Sequence, residues 1–439
     1  MRVLVTGATG LIGSHVVRAL RAAGGAVTGL SRQRPAGECP DAWVARDFGC
    51  MTTAQDWLAL LEGGAFDAVV NCVGIIREAA PGDFDRLHRA APVALFAACE
   101  QLGVRVVQLS ALGSDSDAAT GYWRSKGAAE ADLLARRLPA TIIRPSLVYG
   151  ADGASSVLLR MLATLPVLLL PLAQRALVQP VHVDDLADVV VRLLAGTGGV
   201  TQDADAPAAN VDAAPRTLAV VGPRATTIAG YVGDLRRGMG APAALALTLP
   251  LAVAQLVARL AALHPASAFT PESLHMLAAS ADGGNTADPA PVQALLGRPL
   301  RDPATFARPA DQLAAVWAWG APLVTVAFAL MWLITAYVSW FSWPHADSRS
   351  WLAACGVPAA LQEPLLLAAS VTDATIGVLL LLRPRRWLWA AQLALVGGYT
   401  VMLSVFLPIF WSHPFGPLLK NLPLLAVMAL LWRLSPSKS

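Results

Sequence analysis

The chain has very little lysine. Its 439 residues include 33 lysines and arginines, and only three of these are lysines: Lys126, Lys420 and Lys438. Lys126 is therefore the only lysine in the first 419 residues, and it follows Tyr122 by four positions in the stretch GYWRSK. Chance placement seldom puts two rare residue types at such a spacing. The pair is therefore a candidate for chemistry.

Cysteine is also scarce, with five scattered residues and no Cys-x-x-Cys pair. This pattern argues against a disulfide framework and against a cysteine metal site, and it favours a reducing compartment. We expect no metal centre.

The N-terminal stretch MRVLVTGATG lacks the long apolar run of a signal peptide. We therefore expect the first part of the chain to stay in the cytoplasm.

Charge is low and unevenly distributed. Charged residues make up 14% of the chain, against about a quarter in ordinary soluble proteins. Residues 312–439 contain only ten charged side chains, so a soluble part is followed by a membrane part. The soluble part is close to neutral, which excludes the basic surface expected of a nucleic-acid-binding protein.

Short apolar runs alternate with amphipathic stretches of helical length from residue 2 to about residue 200. This alternation predicts βαβ units and an α/β fold with a doubly wound parallel sheet. Strands are expected at 2–6, 26–30, 43–47, 67–71, 104–110 and 140–145, and helices at 11–23, 84–102 and 122–136. Beyond about residue 200 the pattern loosens into a small cap region, with a strand near 218–222 and helices near 227–239 and 247–262.

Four apolar stretches follow, each near the ~20 residues that cross a bilayer. They lie at 316–341, 364–382, 387–411 and 416–432 and predict a four-helix transmembrane bundle. Lysine and arginine concentrate in the loops on one side, which places both termini and the soluble domain in the cytoplasm and the bundle in the inner membrane. The stretch 241–258 is also uncharged, but two prolines interrupt it, so we interpret it as a cap helix, lying on the membrane, in preference to a fifth span.

One acidic residue, Asp373, lies in the middle of the second apolar stretch. A charge there is costly and normally faces the interior of a bundle. A proton relay or a quinone contact is one interpretation, and hydrogen bonding to neighbouring helices or to Thr372 is the other.

The stretch TGATGLIG places Gly7, Gly10 and Gly13 between the first strand and the first helix. Such glycines allow a tight turn and a close approach to a pyrophosphate, which then lies at the helix N-terminus. We therefore predict a dinucleotide site. After the second strand come Ser31 and Arg32, without the acidic residue that binds the ribose of NAD. An arginine accommodates a 2′-phosphate, so NADP(H) is favoured and NAD(H) is the alternative.

Three residues are predicted to react. A spacing of four places Tyr122 and Lys126 on one helix face. A nearby ammonium favours the charged form of a phenol, so Lys126 is expected to lower the pKa of Tyr122 toward neutrality. Ser110 ends the fifth strand and could hold a substrate oxygen against the cofactor by a hydrogen bond. These residues are the predicted catalytic set.

With these residues the chain resembles the short-chain dehydrogenase/reductase superfamily, over about 200 residues. The later motifs RPSLVYG (144–150) and VHVDDLA (181–187) are similar to its extended or atypical branch, which includes sugar-nucleotide epimerases and the NAD(P)H-binding accessory subunit of respiratory complex I. The resemblance implies that Ser110 is the catalytic serine in preference to Ser114. The motifs and the resemblance together predict cofactor contacts at Gly7, Thr9, Gly10, Leu11, Ile12, Gly13, Ser31, Arg32, Asp47, Asn71, Val73, Gly74, Tyr122, Lys126 and Pro145.

The motif VHVDD admits a plainer interpretation, in which Asp184 or Asp185 only caps a helix. The C-terminal part, with HPFGPLLKNLP (413–423) leading into the last apolar stretch, resembles the DoxX-like family. The expected domains are therefore an NAD(P)-binding Rossmann domain at 1–225, a cap and linker at 226–310 and a DoxX-like transmembrane domain at 311–439.

The sequence as a whole predicts a membrane-anchored NAD(P)H-dependent oxidoreductase. Its substrate is expected to be a carbonyl or alcohol, or a quinone-like or lipid-linked molecule, near the bilayer. One alternative is a non-catalytic NAD(P)H-binding assembly or sensor subunit with a partner in a membrane complex. Another is a nucleotide-sugar epimerase or dehydratase.

Overall fold

The computed structural model describes residues 1–34, 41–196, 214–263, 267–282, 286–414 and 416–435. The chain divides into two compact units, Met1–Ala315 and Val316–Ser439. Each unit has a hydrophobic core of its own.

The first unit is built on a seven-stranded sheet in which all neighbouring strands run parallel. The strands of the described residues are β1 (Arg2–Thr6), β2 (Ala26–Ser31), β3 (Ala42–Ala45), β4 (Ala68–Asn71), β5 (Arg105–Leu109), β6 (Ala140–Pro145), β7 (Val148–Tyr149), β8 (Val167–Pro171), β9 (Leu177–Val178), β10 (Val181–His182), β11 (Arg216–Val220), β12 (Thr226–Thr227) and β13 (Leu245–Leu249). The order in the main sheet is β11-β6-β5-β4-β1-β2-β3.

The helices cover both faces of this sheet and continue into the second unit. They are α1 (Leu11–Ala22), α2 (Ala54–Gly64), α3 (Asp83–Asp85), α4 (Ala91–Leu102), α5 (Gly121–Leu134), α6 (Ala154–Thr164), α7 (Val183–Ala195), α8 (Ile228–Gly238), α9 (Leu251–Ala261), α10 (Pro271–Ala279), α11 (Ala290–Leu296), α12 (Asp311–Tyr337), α13 (His345–Ala354), α14 (Ala359–Leu382), α15 (Arg386–Phe406), α16 (Ile409–Ser412) and α17 (Asn421–Leu434). A π-helical turn, Arg86–Ala90, joins α3 to α4.

Alternation along β1 shows why both faces are covered. Val3 and Val5 lie in a core cluster with residues of α1 and α7, whereas Leu4 lies in the opposite cluster with residues of α2 and α4. Successive strand residues point to opposite faces, so a strand that is apolar throughout must be covered twice. This confirms the predicted doubly wound α/β Rossmann fold.

The cap is smaller and more irregular. The two parallel strands β8 and β13 pair there, followed by α9 and α10. The sequence predicts one helix over 247–262, and this was wrong at its start, because residues up to Leu249 form β13 and the helix begins after Pro250. A proline disfavours the helical conformation in the residue before it. The first part of the region beyond residue 200, up to residue 213, lies outside the described residues.

Among the described residues, three helices are long and apolar enough to cross a membrane: Asp311–Ser342, Ala359–Leu382 and Arg386–Phe406. The predicted fourth span, 416–432, differs from the observed helix α17, which begins at Asn421 and has 14 residues. At 1.5 Å per residue this helix is about 21 Å long, shorter than the ~30 Å hydrocarbon core. Gly416 interrupts the chain ahead of it with a left-handed φ of 51°.

In the membrane unit, Asp373 lies on the buried face of α14 together with Ser370 and Gly377. The hydroxyl of Thr372 donates to the carbonyl of Ala368, on its own helix. The Thr372 hydroxyl therefore does not donate to Asp373, and the interpretation that pairs these two residues was wrong. A functional role for Asp373 stays a prediction.

Candidate active site

The glycine turn lies between β1 and α1, at the carboxyl edge of the sheet. Gly7 has a φ of 66°, and a Cβ there would lie 3.0 Å from the backbone of Cys72 and Val73. A Cβ on Gly13 would lie 2.2 Å from the carbonyl oxygen of Gly7, so strand and helix pack without room for a side chain. No side chain caps the N-terminus of α1 at Gly10. The first amides of α1 therefore suit a pyrophosphate, and the turn fits a bound dinucleotide.

Further residues predicted to bind cofactor lie around this turn. Thr9 and Gly10 are exposed, and Leu11 and Ile12 are half-buried in the first turn of α1. The carbonyl of Pro145, at the end of β6, accepts the N–H of Leu112 at 2.9 Å. This contact holds the loop after β5 against β6.

The ends of β2 and β3 supply the predicted ribose and adenine contacts. The Ser31 hydroxyl donates to the carbonyl of Gln33 at 2.7 Å, and Arg32 is exposed. Asp47 accepts the N–H of Gly49 at 3.0 Å and so caps a short 3-10 helix. Arg32 is thus open to a ligand, whereas Asp47 already has a structural partner.

At the end of β4, Asn71 is fully buried. Its Oδ1 accepts from Thr6 Oγ1 at 2.6 Å and from the N–H of Val73 at 3.2 Å, and its Nδ2 donates to Gln108 at 2.8 Å. The side chain thus joins three strand ends and shapes the loop that contains Val73 and Gly74. Asn71 therefore supports this loop, and its contact with the cofactor stays a prediction.

Lys126 lies between the ring of Tyr122 and the end of β5. Its Nζ lies 5.5 Å from the centre of the Tyr122 ring and donates to the carbonyl of Leu109 at 3.3 Å. A Cβ on Gly74 would lie 3.4 Å from the same Nζ. Ser110, next to Leu109, is buried, and its hydroxyl donates to that of Ser114 at 3.2 Å. We call α5, which contains the predicted catalytic residues Tyr122 and Lys126, the catalytic helix. The lysine therefore lies among this helix, the end of β5 and the loop after β4.

The electrostatics of this pair differ from the expectation. Burial raises the pKa of Tyr122 to about 12 and lowers the pKa of Lys126 to about 8. The predicted lowering of the Tyr122 pKa was wrong. The ammonium lies over the face of the ring and binds a carbonyl. Desolvation of the phenol outweighs its influence. Tyr122 is therefore protonated at neutral pH.

His88, in the π-helical turn, was missed by sequence reasoning. Its Nε2 accepts the N–H of Ile75 at 3.0 Å, so Nδ1 carries the proton and donates to Ser125 Oγ at 3.0 Å. Burial, with the nearby Lys126 charge, lowers its pKa to about 2, so the ring stays neutral. Its ring also packs edge-to-face on Tyr122. His88 thus ties the loop after β4 to the catalytic helix.

Glu272, in the first turn of α10, was also missed. Its Oε1 accepts the backbone N–H of Tyr122 at 2.8 Å. The other N-terminal contact of α5 is local, from the N–H of Trp123 to Thr120 Oγ1 at 3.3 Å. The cap region therefore holds the start of the catalytic helix. No motif signals this contact, since the two residues are 150 positions apart.

The structure corrects one interpretation of the motif VHVDD, the residue that caps α7. The cap of α7 is the His182 side chain, whose Nδ1 accepts the N–H of Asp184 at 3.2 Å. Asp184 pairs with His15 at 2.6 Å, and Asp185 pairs with Arg298 at 2.8 Å and with Arg301. The prediction that either aspartate caps α7 was wrong, because both are taken up by partners distant in sequence.

Two family models match the chain. The model of the NAD dependent epimerase/dehydratase family matches residues 3–203, and that of the DoxX-like family matches residues 329–429. The chain joins an epimerase/dehydratase-type NAD-binding Rossmann domain to a DoxX-like domain. The DoxX-like domain and the three apolar helices indicate a membrane protein.

Two curated relatives are reductases by name. A ceramide reductase of Caulobacter vibrioides is 30% identical over 190 residues, which cover 43% of this chain and 59% of the relative. The probable low-salt glycan biosynthesis reductase Agl14 of Haloferax volcanii is 30% identical over 174 residues, covering 36% of this chain and 56% of the relative. The chain thus spans little more than half the length of either relative.

Among solved structures, a nucleoside-diphosphate-sugar epimerase from Staphylococcus aureus is similar, with a TM-score of 0.52 and 17% identity. The similarity covers 70% of this chain and 99% of the epimerase. At this identity the likeness concerns the fold alone. It supports the doubly wound α/β fold of the first unit.

Proposed function

We propose that the chain is a membrane-bound reductase that reduces the carbonyl group of a lipid with NADPH. The observation that carries the proposal is the position of Lys126, between the ring of Tyr122 and the end of β5, beside a turn that fits a dinucleotide. Reductases among the relatives support the reaction type. The membrane domain supports a substrate in the bilayer, and one relative is named for ceramide, a membrane lipid.

The site residues suit reduction better than oxidation. A bound reduced nicotinamide would supply the hydride. The Tyr122 hydroxyl, protonated at neutral pH, donates its proton to the substrate oxygen, so that the carbonyl becomes an alcohol. Ser110 donates a hydrogen bond to the same oxygen, and the Lys126 ammonium stabilises the phenolate left on Tyr122. Because the phenol holds its proton at neutral pH, it is ready to donate to a carbonyl, whereas alcohol oxidation would first require its deprotonation.

The cofactor is proposed to be NADPH, with NADH as the weaker alternative. Arg32 is exposed at the end of β2, where a 2′-phosphate would lie. The turn from Gly7 to Gly13 would hold the pyrophosphate, and Val73 and Gly74 would pass the nicotinamide half. We propose further that the first unit faces the cytoplasm from the inner membrane, as the distribution of lysine and arginine indicates.

The proposal is tested with the full chain in lipid nanodiscs and with NADPH as reductant. The substrate panel is a long-chain lipid ketone, a short water-soluble ketone, a quinone and a nucleotide sugar. We expect stoichiometric NADPH oxidation and a lipid alcohol as product, detected by mass spectrometry, with the lipid ketone. Oxidation of NADPH by none of the four would contradict the proposal.

An epimerase is the second candidate, and the epimerase/dehydratase family model favours it. An epimerase recycles its cofactor, so a nucleotide sugar would be inverted without net consumption of NADPH or NADH. The nucleotide-sugar arm of the panel, read by product analysis, separates the two candidates. A third candidate, a non-catalytic NAD(P)H-binding subunit, predicts tight NADPH binding with no product in any arm.

A further inference from the structure

An exposed apolar surface lies on the cap, outside the candidate active site. In β8, Leu168 and Leu170 face the core, whereas Val167 and Leu169 point outward. The parallel partner β13 places Leu245 opposite Val167 and Leu247 opposite Leu169. Partners in register share a face. Four large apolar side chains of these two strands are therefore exposed together.

Helix α9 continues this surface directly after β13. Only Ala254 and Ala258 of this helix are buried. Leu256 is 57% exposed and Leu260 is 59% exposed, and Leu263, just beyond the helix, is 79% exposed. We call the outer face of β8 and β13 together with the exposed side of α9 the cap surface. A surface of this composition marks a site of interaction with a protein or a membrane.

The inner side of α9 leads back to the active site. Ala254 and Ala258 pack with Leu274 of α10 in one buried cluster. Two residues before Leu274, Glu272 accepts the N–H of Tyr122. The helix that exposes apolar side chains is therefore packed on the helix that holds the start of the catalytic helix.

We infer that the cap surface inserts into the acyl region of the lipid bilayer. The part of the chain that the structure describes also carries three helices long and apolar enough to cross a membrane, so a bilayer is the apolar phase available to this protein. The only charged residue of α9 is the cation Arg259, which suits an anionic headgroup. With 11 residues, α9 is about 16 Å long, so it lies in the interface and does not span.

A bilayer explains the shape and composition of this surface better than a protein partner does. Exposed Val and Leu side chains occur on three different elements, and aromatic residues and arginine, the usual anchors of protein interfaces, are nearly absent from them. An interfacial helix needs only a broad apolar side and a cationic edge. For a lipid-reducing enzyme, this arrangement would bring the catalytic helix close to the bilayer that contains the substrate.

The test measures the depth of a fluorophore on the cap surface. Leu256→Cys is made in a full chain with Cys39, Cys50 and Cys355 replaced by Ser, labelled with an NBD group and placed in nanodiscs of phosphatidylcholine and phosphatidylglycerol. Cys72 and Cys99 stay in place, because burial raises the pKa of both thiols to about 12, and the same chain with Leu256 unchanged measures any labelling of these two thiols. Leu134→Cys, at a 45% exposed leucine on α5, is the matched control.

We expect the label at Leu256 to be quenched by lipids spin-labelled on the acyl chain and protected from aqueous iodide. The label at Leu134 should show the reverse. Quenching of the Leu256 label by iodide alone would overturn the inference, because the surface would then face water. Protection from both quenchers would also overturn it, because protein, the second unit or another copy, would then cover the surface.

The readout requires no catalysis, so it is independent of the proposed function. If the label is quenched by lipid in a chain that has no reductase activity, the inference about the cap surface stands and the proposed lipid reduction is excluded. A second variant, Leu260→Cys, repeats the measurement one turn further along α9. NADPH binding and an unchanged thermal unfolding midpoint confirm that each labelled chain is folded.

Discussion

The backbone N–H of Tyr122 donates a hydrogen bond of 2.8 Å to Oε1 of Glu272, although the two residues are 150 positions apart. Tyr122 lies in the first turn of α5, where N–H groups have no partner within the helix. A carboxylate there satisfies one of them and interacts favourably with the helix dipole. The cap thus fixes where the catalytic helix begins, and with it the position of the Tyr122 side chain.

Glu272→Ala should lower kcat for lipid reduction by about ten- to a hundredfold, because small displacements of a catalytic group have costs of this size. The KM for NADPH should be unchanged. Glu272→Gln keeps an acceptor oxygen and should retain most of the activity. Steady-state kinetics of both variants in nanodiscs makes the comparison. Equal losses in the two variants would show that the charge matters and not the hydrogen bond.

His88 should make the chain sensitive to acid. Its pKa is lowered from 6.5 to about 2 in the folded state, so below pH 6.5 the unfolded chain binds a proton that the folded chain does not. Stability is therefore full above pH 6.5 and falls with decreasing pH, by up to about 1.4 kcal/mol per pH unit from this residue. His88→Gln should flatten the dependence of the thermal midpoint on pH between 5 and 6.5. An unchanged slope would contradict this account of His88.

Lys126 should affect the stability of the fold at alkaline pH. Burial lowers its pKa from 10.5 to about 8, so above pH 8 the unfolded chain binds more protons and stability rises with pH. As pH rises from 8 to 10, we expect the thermal midpoint of the wild type to increase relative to that of Lys126→Met. Activity should fall in the same range, because the neutral amine no longer stabilises a phenolate. A stability difference independent of pH would exclude a buried charge at Lys126.

Arg32→Ala should weaken NADPH binding and leave NADH binding nearly unchanged. An exposed arginine bound to a phosphate contributes a charge-assisted hydrogen bond of about 1.5–3 kcal/mol, which corresponds to about ten- to a hundredfold in Kd. Fluorescence titration of both cofactors against both proteins gives the ratio. Gln33→Ala, which changes a neighbouring exposed residue, is the control. Equal effects on both cofactors would show that Arg32 is not the specificity residue.

The Rossmann fold could be predicted because its signals are local. The glycines of the first turn, the apolar strands and the Tyr122 to Lys126 spacing are all read within a few residues. The membrane part could be predicted from apolar length for three helices. For α17, the interruption at Gly416 leaves a helix shorter than the apolar run that contains it.

The rest depends on contacts between distant parts of the chain. The Glu272 contact and the partners of Asp185 arise from packing of the cap, for which no sequence period exists. The raised pKa of Tyr122 comes from burial of its phenol, which the spacing to Lys126 does not specify. His88 looks like any helical histidine until the loop after β4 supplies the N–H of Ile75.

The central claim is that the Tyr122 hydroxyl donates the proton in carbonyl reduction. Tyr122→Phe removes only the oxygen and keeps the ring between Lys126, His88 and Phe84. Single-turnover NADPH oxidation by the full chain in nanodiscs with a lipid ketone measures the effect directly. We predict a rate lower by about a hundredfold or more, as expected for loss of a general acid, with unchanged NADPH affinity. A variant that reduces the lipid at the wild-type rate would contradict the account.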